Sequence, residues 1–185
     1  MHNAMPDAHD LLAAERFLAA EARIAALFER TEEAIAPLLR SMRATGRTTY
    51  VTDPERGVIW GHAFLRAPYA PSVEAEWFVG WGLRFPDGGS GWEAADPRLP
   101  TTPHAIVVVG ASGTPGGSPG AALRARLPEG WSVVGGEAAF VAASRPLLEL
   151  PAEPDTLAAA LASWTAERIG ELRSFLPSLA SACPG

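Results

Sequence analysis

The chain has 185 residues, of which 48% are hydrophobic and 19% are charged, and its formal net charge at pH 7 is −6. This length is sufficient for one domain with a substantial core, and the composition is that of a globular protein. An acidic chain has no electrostatic attraction to nucleic acid or to an anionic membrane, so neither is expected as a partner.

Residue usage excludes several kinds of chemistry. The sequence contains no lysine, because all fifteen basic residues are arginine, and its single cysteine is Cys183. A P-loop and a Schiff-base enzyme both need a lysine, and one cysteine forms neither an internal disulfide nor a thiolate metal cluster. The first residues lack the pattern of a signal peptide, and no apolar run has membrane-spanning length. We therefore expect a cytoplasmic protein.

A long amphipathic helix is predicted over residues 10–45. Its apolar residues recur at three- and four-residue steps and share one face. They are Phe17, Ile24, Leu27, Phe28, Ile35, Leu38 and Met42. Pro37 is expected to kink or split the helix, and Gly46 is expected to end it. This stripe offers more apolar surface than a small sheet covers, which indicates an interface at Ile24, Leu27 and Phe28.

Residues 46–150 are predicted to form most of an antiparallel sheet, with loops rich in glycine and proline. The segments "RTTYVT" and "VIWGHAFLR" form a hairpin around "DPERG", in which Gly57 fits a left-handed position. Residues 74–85 alternate with period two, so the odd positions, which include Trp77 and Trp81, form an apolar face. Residues 104–110 indicate an inner strand. "WSVV" and "EAAFVAAS" indicate a second hairpin with a Gly-Gly turn.

A second long helix is predicted over residues 154–178, with Asp155 or Thr156 as its N-cap and Pro177 as its stop. The order of helix, strands and helix, with short hairpin turns, predicts an α+β fold. We expect a single domain over residues 1–185. Its antiparallel sheet of about five or six strands is flanked by a long N-terminal helix and a long C-terminal helix.

The glycine-rich segment "GASGTPGGSPG" follows the inner strand and raises the possibility of a dinucleotide site. Such a turn holds a pyrophosphate when it joins a strand to a helix in a βαβ unit. Here Pro115 and Pro119 remove backbone donors, the following segment must end before Pro128, and the next strands form a hairpin. We therefore expect a surface loop, no cofactor, and no dinucleotide-dependent oxidoreductase.

Candidate pocket or contact residues are chosen by residue type and strand position. They are Trp60, His62, Glu76, Trp77, Trp81, Arg84, Trp92 and His104. His62 is either a general base or an ordinary core histidine. Glu74 and Glu76 either bind a cation or begin a solvated strand, and no metal site is predicted. Trp77 and Trp81 favour the core, whereas Trp92 lies in a polar loop and is the best single contact candidate.

Small residues on two strands predict close approach of another element. Gly61 with Ala63, and Gly80 with Gly82, give two strands a face without large side chains. A packed helix is the commonest cause of such a face, so the N- or C-terminal helix is expected there.

Two functions of different classes stay open. The first is a non-catalytic protein-binding or assembly module of the bacterial cytoplasm, which uses the N-terminal helix to form a homo-oligomer or to bind a protein partner. The alternative is a small-molecule-binding or hydrolytic domain with a pocket between the sheet and the C-terminal helix. The residues of that pocket would be Trp60, His62, Trp77, Trp81 and Arg84. No convincing catalytic set is present, so an enzyme is the less favoured interpretation.

Overall fold

The predicted α+β class is confirmed by the computed structural model, which describes residues 7–53, 57–70, 76–85, 102–112, 127–134 and 140–180. A long helix precedes six described strands and a second long helix follows them. In chain order the elements are α1 (Ala8–Ser41), β1 (Thr45–Asp53), β2 (Val58–Phe64), β3 (Glu76–Arg84), β4 (His104–Ser112), β5 (Trp131–Val134), β6 (Phe140–Pro146), a 3-10 turn (Leu147–Glu149) and α2 (Pro154–Ala180).

The six strands form one antiparallel sheet in the order β1-β2-β3-β4-β6-β5. The first four strands follow one another as a meander, and β6 lies between β4 and the edge strand β5. The strand beside β4 is therefore antiparallel to it. A dinucleotide fingerprint needs a parallel βαβ unit, and the described strands around β4 contain no such unit. The glycine-rich residues 113–126 themselves lie outside the described residues.

Both predicted hairpins occur. Asp53 of β1 pairs with Val58 of β2, and Gly57 between them has the predicted left-handed conformation, with φ of 59°. In the second hairpin, Val134 pairs with Phe140. Five residues therefore separate the paired ends, so the expected two-residue Gly-Gly turn is wrong, although residues 135–139 themselves lie outside the described residues.

Helix α1 ends at Ser41, earlier than predicted, and the left-handed residue after it is Arg43 rather than glycine. Arg43 has φ of 54°, and the N–H of Ala44 donates to the carbonyl of Leu39 at 2.9 Å. This hydrogen bond is typical of a Schellman cap. A residue other than glycine can occupy the left-handed position of the cap, but its conformation is strained. Gly46 instead lies in β1 with φ of 61°, where a Cβ would lie 2.9 Å from the ring of Phe64.

Two prolines that were expected to interrupt helices lie inside them. Helix α1 continues through Pro37, and α2 continues through Pro177. Each proline removes one backbone donor, but the flanking turns carry fully buried side chains, such as Leu39 and Leu176. Burial of these leucines stabilises the helical turn enough to offset the missing hydrogen bond.

Both helices pack on one side of the sheet, which we call the core face. Residues of α1 spaced by seven, four and three positions meet the inward residues of α2 and of the strands. Members of this cluster include Phe28, Ile35, Leu39 and Met42 of α1, Leu161, Trp164, Ile169 and Leu172 of α2, and Trp77, Val79, Trp81, Val107 and Val109 of the sheet. Among the described residues, the opposite side, the outer face, has a smaller cluster on the strands: Val58, Ile106, Val108 and Ala142, with Trp60 and Phe78 against it.

Strand β4 is the buried centre of the sheet, as its continuous apolar run predicts. Residues 104–110 are all buried, although their side chains alternate between the two faces. Both sides of the sheet are thus covered along β4. A one-residue shift in its register would exchange the residues of the two faces.

The edge strand β5 is tied to α2 by a polar contact. The indole N–H of Trp131 donates to Oε2 of Glu171 at 2.7 Å, and Nη1 of Arg168 lies 3.0 Å from Oε1 of the same carboxylate. A single carboxylate therefore binds both the first residue of β5 and a neighbour on its own helix.

Candidate functional site

The outer face carries a run of aromatic side chains on β2 and β3. Directly paired residues of neighbouring strands project to the same side of a sheet. The pairs on this side are Trp60 with Gly82, His62 with Gly80, and Phe64 with Phe78. We call Phe78, Trp60, His62 and Phe64 the aromatic row.

The indole of Trp60 occupies space left by two glycines on β3. A Cβ on Gly80 would lie 2.7 Å from Cε3 of Trp60 and 2.9 Å from Val108. A Cβ on Gly82 would lie 2.2 Å from the carbonyl oxygen of Ile59. The space over Gly80 and Gly82 is therefore filled by Trp60 and not by the expected helix. The short side chains of β3 allow a large ring from β2 to lie across the neighbouring strand.

Each ring of the aromatic row contacts the next along the outer face. The centroids of Trp60 and His62 are 5.2 Å apart and their planes differ by only 34°. Phe78 meets Trp60 at 5.8 Å and 73°, and Phe64 meets His62 at 5.6 Å and 83°. All four side chains are partly exposed. Trp60 and His62 are thus stacked on each other with an offset, and each also has a phenylalanine ring against it at a steep angle.

The position of His62 sets its charge. Its Nδ1 atom is buried and has no hydrogen-bond partner among the described residues, and burial lowers the pKa of the imidazole below the usual 6.5. Burial therefore favours the neutral form of the imidazole.

The sheet separates residues that were assigned to one pocket. Trp77 and Trp81 are only 4% and 1% exposed and belong to the core face, where Trp81 lies opposite Gly61. Trp60 and His62 project to the outer face instead. A pocket between the sheet and the C-terminal helix therefore does not contain all five proposed residues. The alternating pattern of β3 gives the reason, because odd and even positions lie on opposite sides.

Arg84 and His104 lie at one end of the outer face. They are cross-strand partners on β3 and β4, and they are only 1% and 4% exposed. Nδ1 of His104 makes a hydrogen bond with the carbonyl oxygen of Thr102. Arg84 shares a face with Trp60 and His62, but its burial keeps it from contact with a ligand in solution.

The other polar candidates do not combine into a centre. Glu76 is exposed at the first position of β3. Glu74 and Trp92 lie outside the described residues. Within the described part of the chain, no group of three or more histidine, cysteine, aspartate or glutamate side chains is arranged to hold a metal ion.

The three interface candidates lie in or against the chain's own core. Phe28 is 2% exposed and contacts the ring of Tyr50 edge-on at 5.5 Å, while Ile24 and Leu27 pack partly buried against the same cluster. The exposed part of α1 is its first half, residues 8–23, which we call the α1 arm. Its described side chains are exposed, apart from the partly buried Ala20.

Three leucines of the α1 arm were missed by the sequence analysis. Leu11, Leu12 and Leu18 are 62%, 50% and 65% exposed. Leu11 and Leu18 are seven residues apart and so lie on one side of the helix. They lie roughly 120–140° around the helix from Ile24, at 100° per residue. The sequence therefore contained a signal for an exposed apolar surface: two leucines at heptad spacing that lie away from the helix face packed in the core.

The described fold is thus a two-layer α+β protein with an aromatic row on its outer face and a helical arm. Comparison of the chain with protein-family models, with curated proteins and with solved structures gives no match. Neither described helix contains a stretch that is long and apolar enough to cross a membrane. A function must accordingly be argued from the two surfaces themselves.

Proposed function

We propose that this chain is a non-catalytic assembly module, which pairs with a second copy of itself through the α1 arm. The observation that carries the proposal is the exposure of Leu11, Leu12 and Leu18, each at least half accessible, on one continuous helical segment. The sequence directed attention to Ile24, Leu27 and Phe28, which the chain uses for its own packing. The proposal therefore moves the contact to the preceding turns of the same helix.

A helical arm benefits from a partner for a physical reason. Short helices gain most of their stability in water from packing an apolar face, not from intrinsic propensity. The α1 arm is about 24 Å long at 1.5 Å per residue. In an antiparallel two-fold pair, Leu11 of one copy would lie beside Leu18 of the other, and the symmetry would repeat that contact.

The charges of the arm favour a second copy over a strongly charged partner. Residues 8–23 contain three acidic residues, Asp10, Glu15 and Glu21, and two arginines, Arg16 and Arg23, so the net charge of the arm is −1 with His9 neutral. Two such arms would repel each other only weakly. A highly basic or acidic surface would find no complementary excess of charge here.

The test compares oligomeric state among three proteins by size-exclusion chromatography with light scattering. We expect the wild type to elute at twice the chain mass of 19.5 kDa. The double variant Leu11→Glu/Leu18→Glu is expected at the single-chain mass, because two buried carboxylates would oppose the contact. Leu148→Glu is the matched control, since Leu148 is 87% exposed in the 3-10 turn and outside the arm.

Circular dichroism of the three proteins separates loss of pairing from loss of folding, and the helical signal should be retained. A wild type that remains monomeric at high micromolar concentration contradicts the proposal. So does a double variant that stays dimeric, or a different polypeptide that co-purifies in place of the second copy.

The proposal includes a cytoplasmic location in a bacterium. The composition supports it, because a chain whose single cysteine is Cys183 has no internal disulfide to gain from an oxidising compartment. Fractionation of the native host, followed by immunodetection, tests the location. Recovery in a membrane or extracellular fraction would contradict it.

A further inference from the structure

We propose that pairing of two α1 arms brings their Glu15 side chains face to face, so that repulsion between them opposes the pairing until the carboxylates take up protons. The inference rests on the proposed function, because it takes the second copy and the antiparallel contact of Leu11 with Leu18 as given. It adds a control of that contact by pH and names the residue that exerts it.

Glu15 lies among the exposed leucines of the α1 arm. It follows Leu11 by four positions and Leu12 by three, and it precedes Leu18 by three. At 100° per residue, Glu15 is therefore within about 60° of each of these leucines around the helix. The side chain of Glu15 is exposed, as the three leucines are. A contact that covers Leu11 and Leu18 thus has Glu15 at its border.

Two-fold symmetry determines what Glu15 faces in that contact. When Leu11 of one copy lies beside Leu18 of the other, the two-fold axis passes between residues 14 and 15. At 1.5 Å per residue, the two Glu15 Cα atoms are then offset by only about 1.5 Å along the helices. In an antiparallel pair this axis relates side chains on the same flank of the contact, so Glu15 faces its own copy. A parallel pair would place the two Glu15 side chains on opposite flanks.

The other charges of the arm are poorly placed to neutralise Glu15. Ion pairs on a helix form between residues three or four positions apart, and those positions around Glu15 hold leucine and alanine. Arg16 projects about 100° away around the helix, and Arg23 lies about 12 Å further along it. The acids at positions 10 and 21 are at least about 120° away. From the second copy, the groups nearest to Glu15 are its own Glu15, Leu11 and Leu18.

This arrangement links pairing to protonation. Two facing carboxylates repel each other, and a proton on either one removes that repulsion. A protonated carboxyl also loses less hydration free energy than a carboxylate beside leucines that become buried. The paired state therefore binds protons more readily than the separate chains do. By linkage, the dissociation constant of the pair falls as the pH falls.

Charge exchange at residue 15 tests the face-to-face placement. Wild type is mixed with Glu15→Arg, and native mass spectrometry separates the heterodimer from the two homodimers by mass. The heterodimer should exceed its statistical share, because each glutamate at position 15 then faces an arginine. Glu29→Arg is the matched control, since Glu29 is an exposed residue of α1 beyond the arm. Its copies would lie about 40 Å apart along the helices, so it should mix with wild type statistically.

Sedimentation equilibrium of Glu15→Gln measures the linkage to protons. At about pH 7.5 the dimer dissociation constant of this variant should be about three- to tenfold below that of the wild type. Acidification to about pH 5 should lower the constant of the wild type more than that of Glu15→Gln, whereas Glu29→Gln should respond as the wild type does.

The outcomes distinguish this inference from the proposed function. A dimeric wild type that mixes statistically with Glu15→Arg overturns the inference alone. A dimeric wild type with the same pH response as Glu15→Gln does so too. If wild type and Glu15→Gln are both monomeric at high micromolar concentration, the inference and the proposed function are both overturned.

Discussion

Both faces of the sheet contain tryptophan side chains, but these are buried on the core face and partly exposed on the outer face. On the core face, Trp77 and Trp81 are almost fully buried beneath two helices. On the outer face, Trp60 lies partly exposed beside His62 and packs against residues of the neighbouring strands. Side-chain parity along the strands accounts for this division. The role of an aromatic residue in this sheet therefore depends on the face to which its side chain projects.

The division also explains why the glycines of β3 and Trp60 belong together. The core face of β3 is filled by large side chains, which the helices cover. The outer face of β3 has Gly80 and Gly82, and the ring that covers them comes from the adjacent strand. Large residues on one side and glycines on the other allow one strand to support two kinds of surface.

Tryptophan truncation on each face gives the largest contrast. Trp81→Ala should lower the free energy of unfolding by about 3–5 kcal/mol, as expected for a buried aromatic residue. The loss is one of packing, because Nε1 of Trp81 has no hydrogen-bond partner among the described residues. Trp60→Ala should cost roughly half as much, since its side chain is only partly buried. Urea denaturation of both variants measures the difference, and equal losses would show that the two faces are buried alike.

Glycine replacement separates a close approach from an ordinary helical position. Gly82→Ala should destabilise the fold by roughly 1–3 kcal/mol or more, because the new Cβ would lie 2.2 Å from the carbonyl oxygen of Ile59. Gly170→Ala is the control within α2, where nothing lies within 4 Å of the new Cβ. This variant should gain about 0.5–1 kcal/mol. Thermal denaturation gives the sign of each change, and a neutral Gly82→Ala would refute the close approach of the β2 backbone to Gly82.

Removal of the Glu171 carboxylate tests how much the contact between α2 and Trp131 stabilises the edge strand β5. Glu171→Ala removes the acceptor of Trp131, whose residue is only 7% exposed, and should cost about 1–3 kcal/mol. Glu167→Ala removes an exposed partner of the same Arg168 and should cost less than about 0.5 kcal/mol. Amide hydrogen exchange should show faster exchange in β5 for the first variant alone. Unchanged protection of β5 would mean that Glu171 does not fasten the strand.

The strand pattern predicted much of the fold because the relevant signals are local. Alternation over residues 74–85 and the left-handed Gly57 are set by a few neighbouring residues, and the structure confirms both the strand and the hairpin. Strand order is not local. Nothing in the sequence spacing shows that β6 inserts between β4 and β5, since that arrangement depends on packing across the whole sheet.

The candidate site was less predictable for a related reason. His62 was recognised with Trp60 as one face of a strand, but the facing residues depend on the register between β2 and β3. A shift by one position would have placed Trp81 beside His62, as the hypothesis of a shared pocket requires. The expected helix stop at Pro177 was wrong, and Pro37 does not split α1, because tertiary packing stabilises the turns around both prolines.

The smallest expected effect is a pH dependence of stability that belongs to the outer face. Burial lowers the pKa of His62 below 6.5, so the unfolded chain takes up a proton at this residue before the folded chain does. The contribution of His62 is therefore present above about pH 6.5 and is lost as the pH falls through that value toward the folded pKa. Neither Thr48 nor Gly80 on the flanking strands provides a negative charge that would reverse this direction. Denaturation of wild type and His62→Phe at about pH 8 and about pH 5 isolates the term, because other titrating groups contribute equally to both proteins. The wild type should lose more stability on acidification than the variant. An equal or smaller loss would show that the imidazole of His62 is as well solvated in the folded protein as in the unfolded chain.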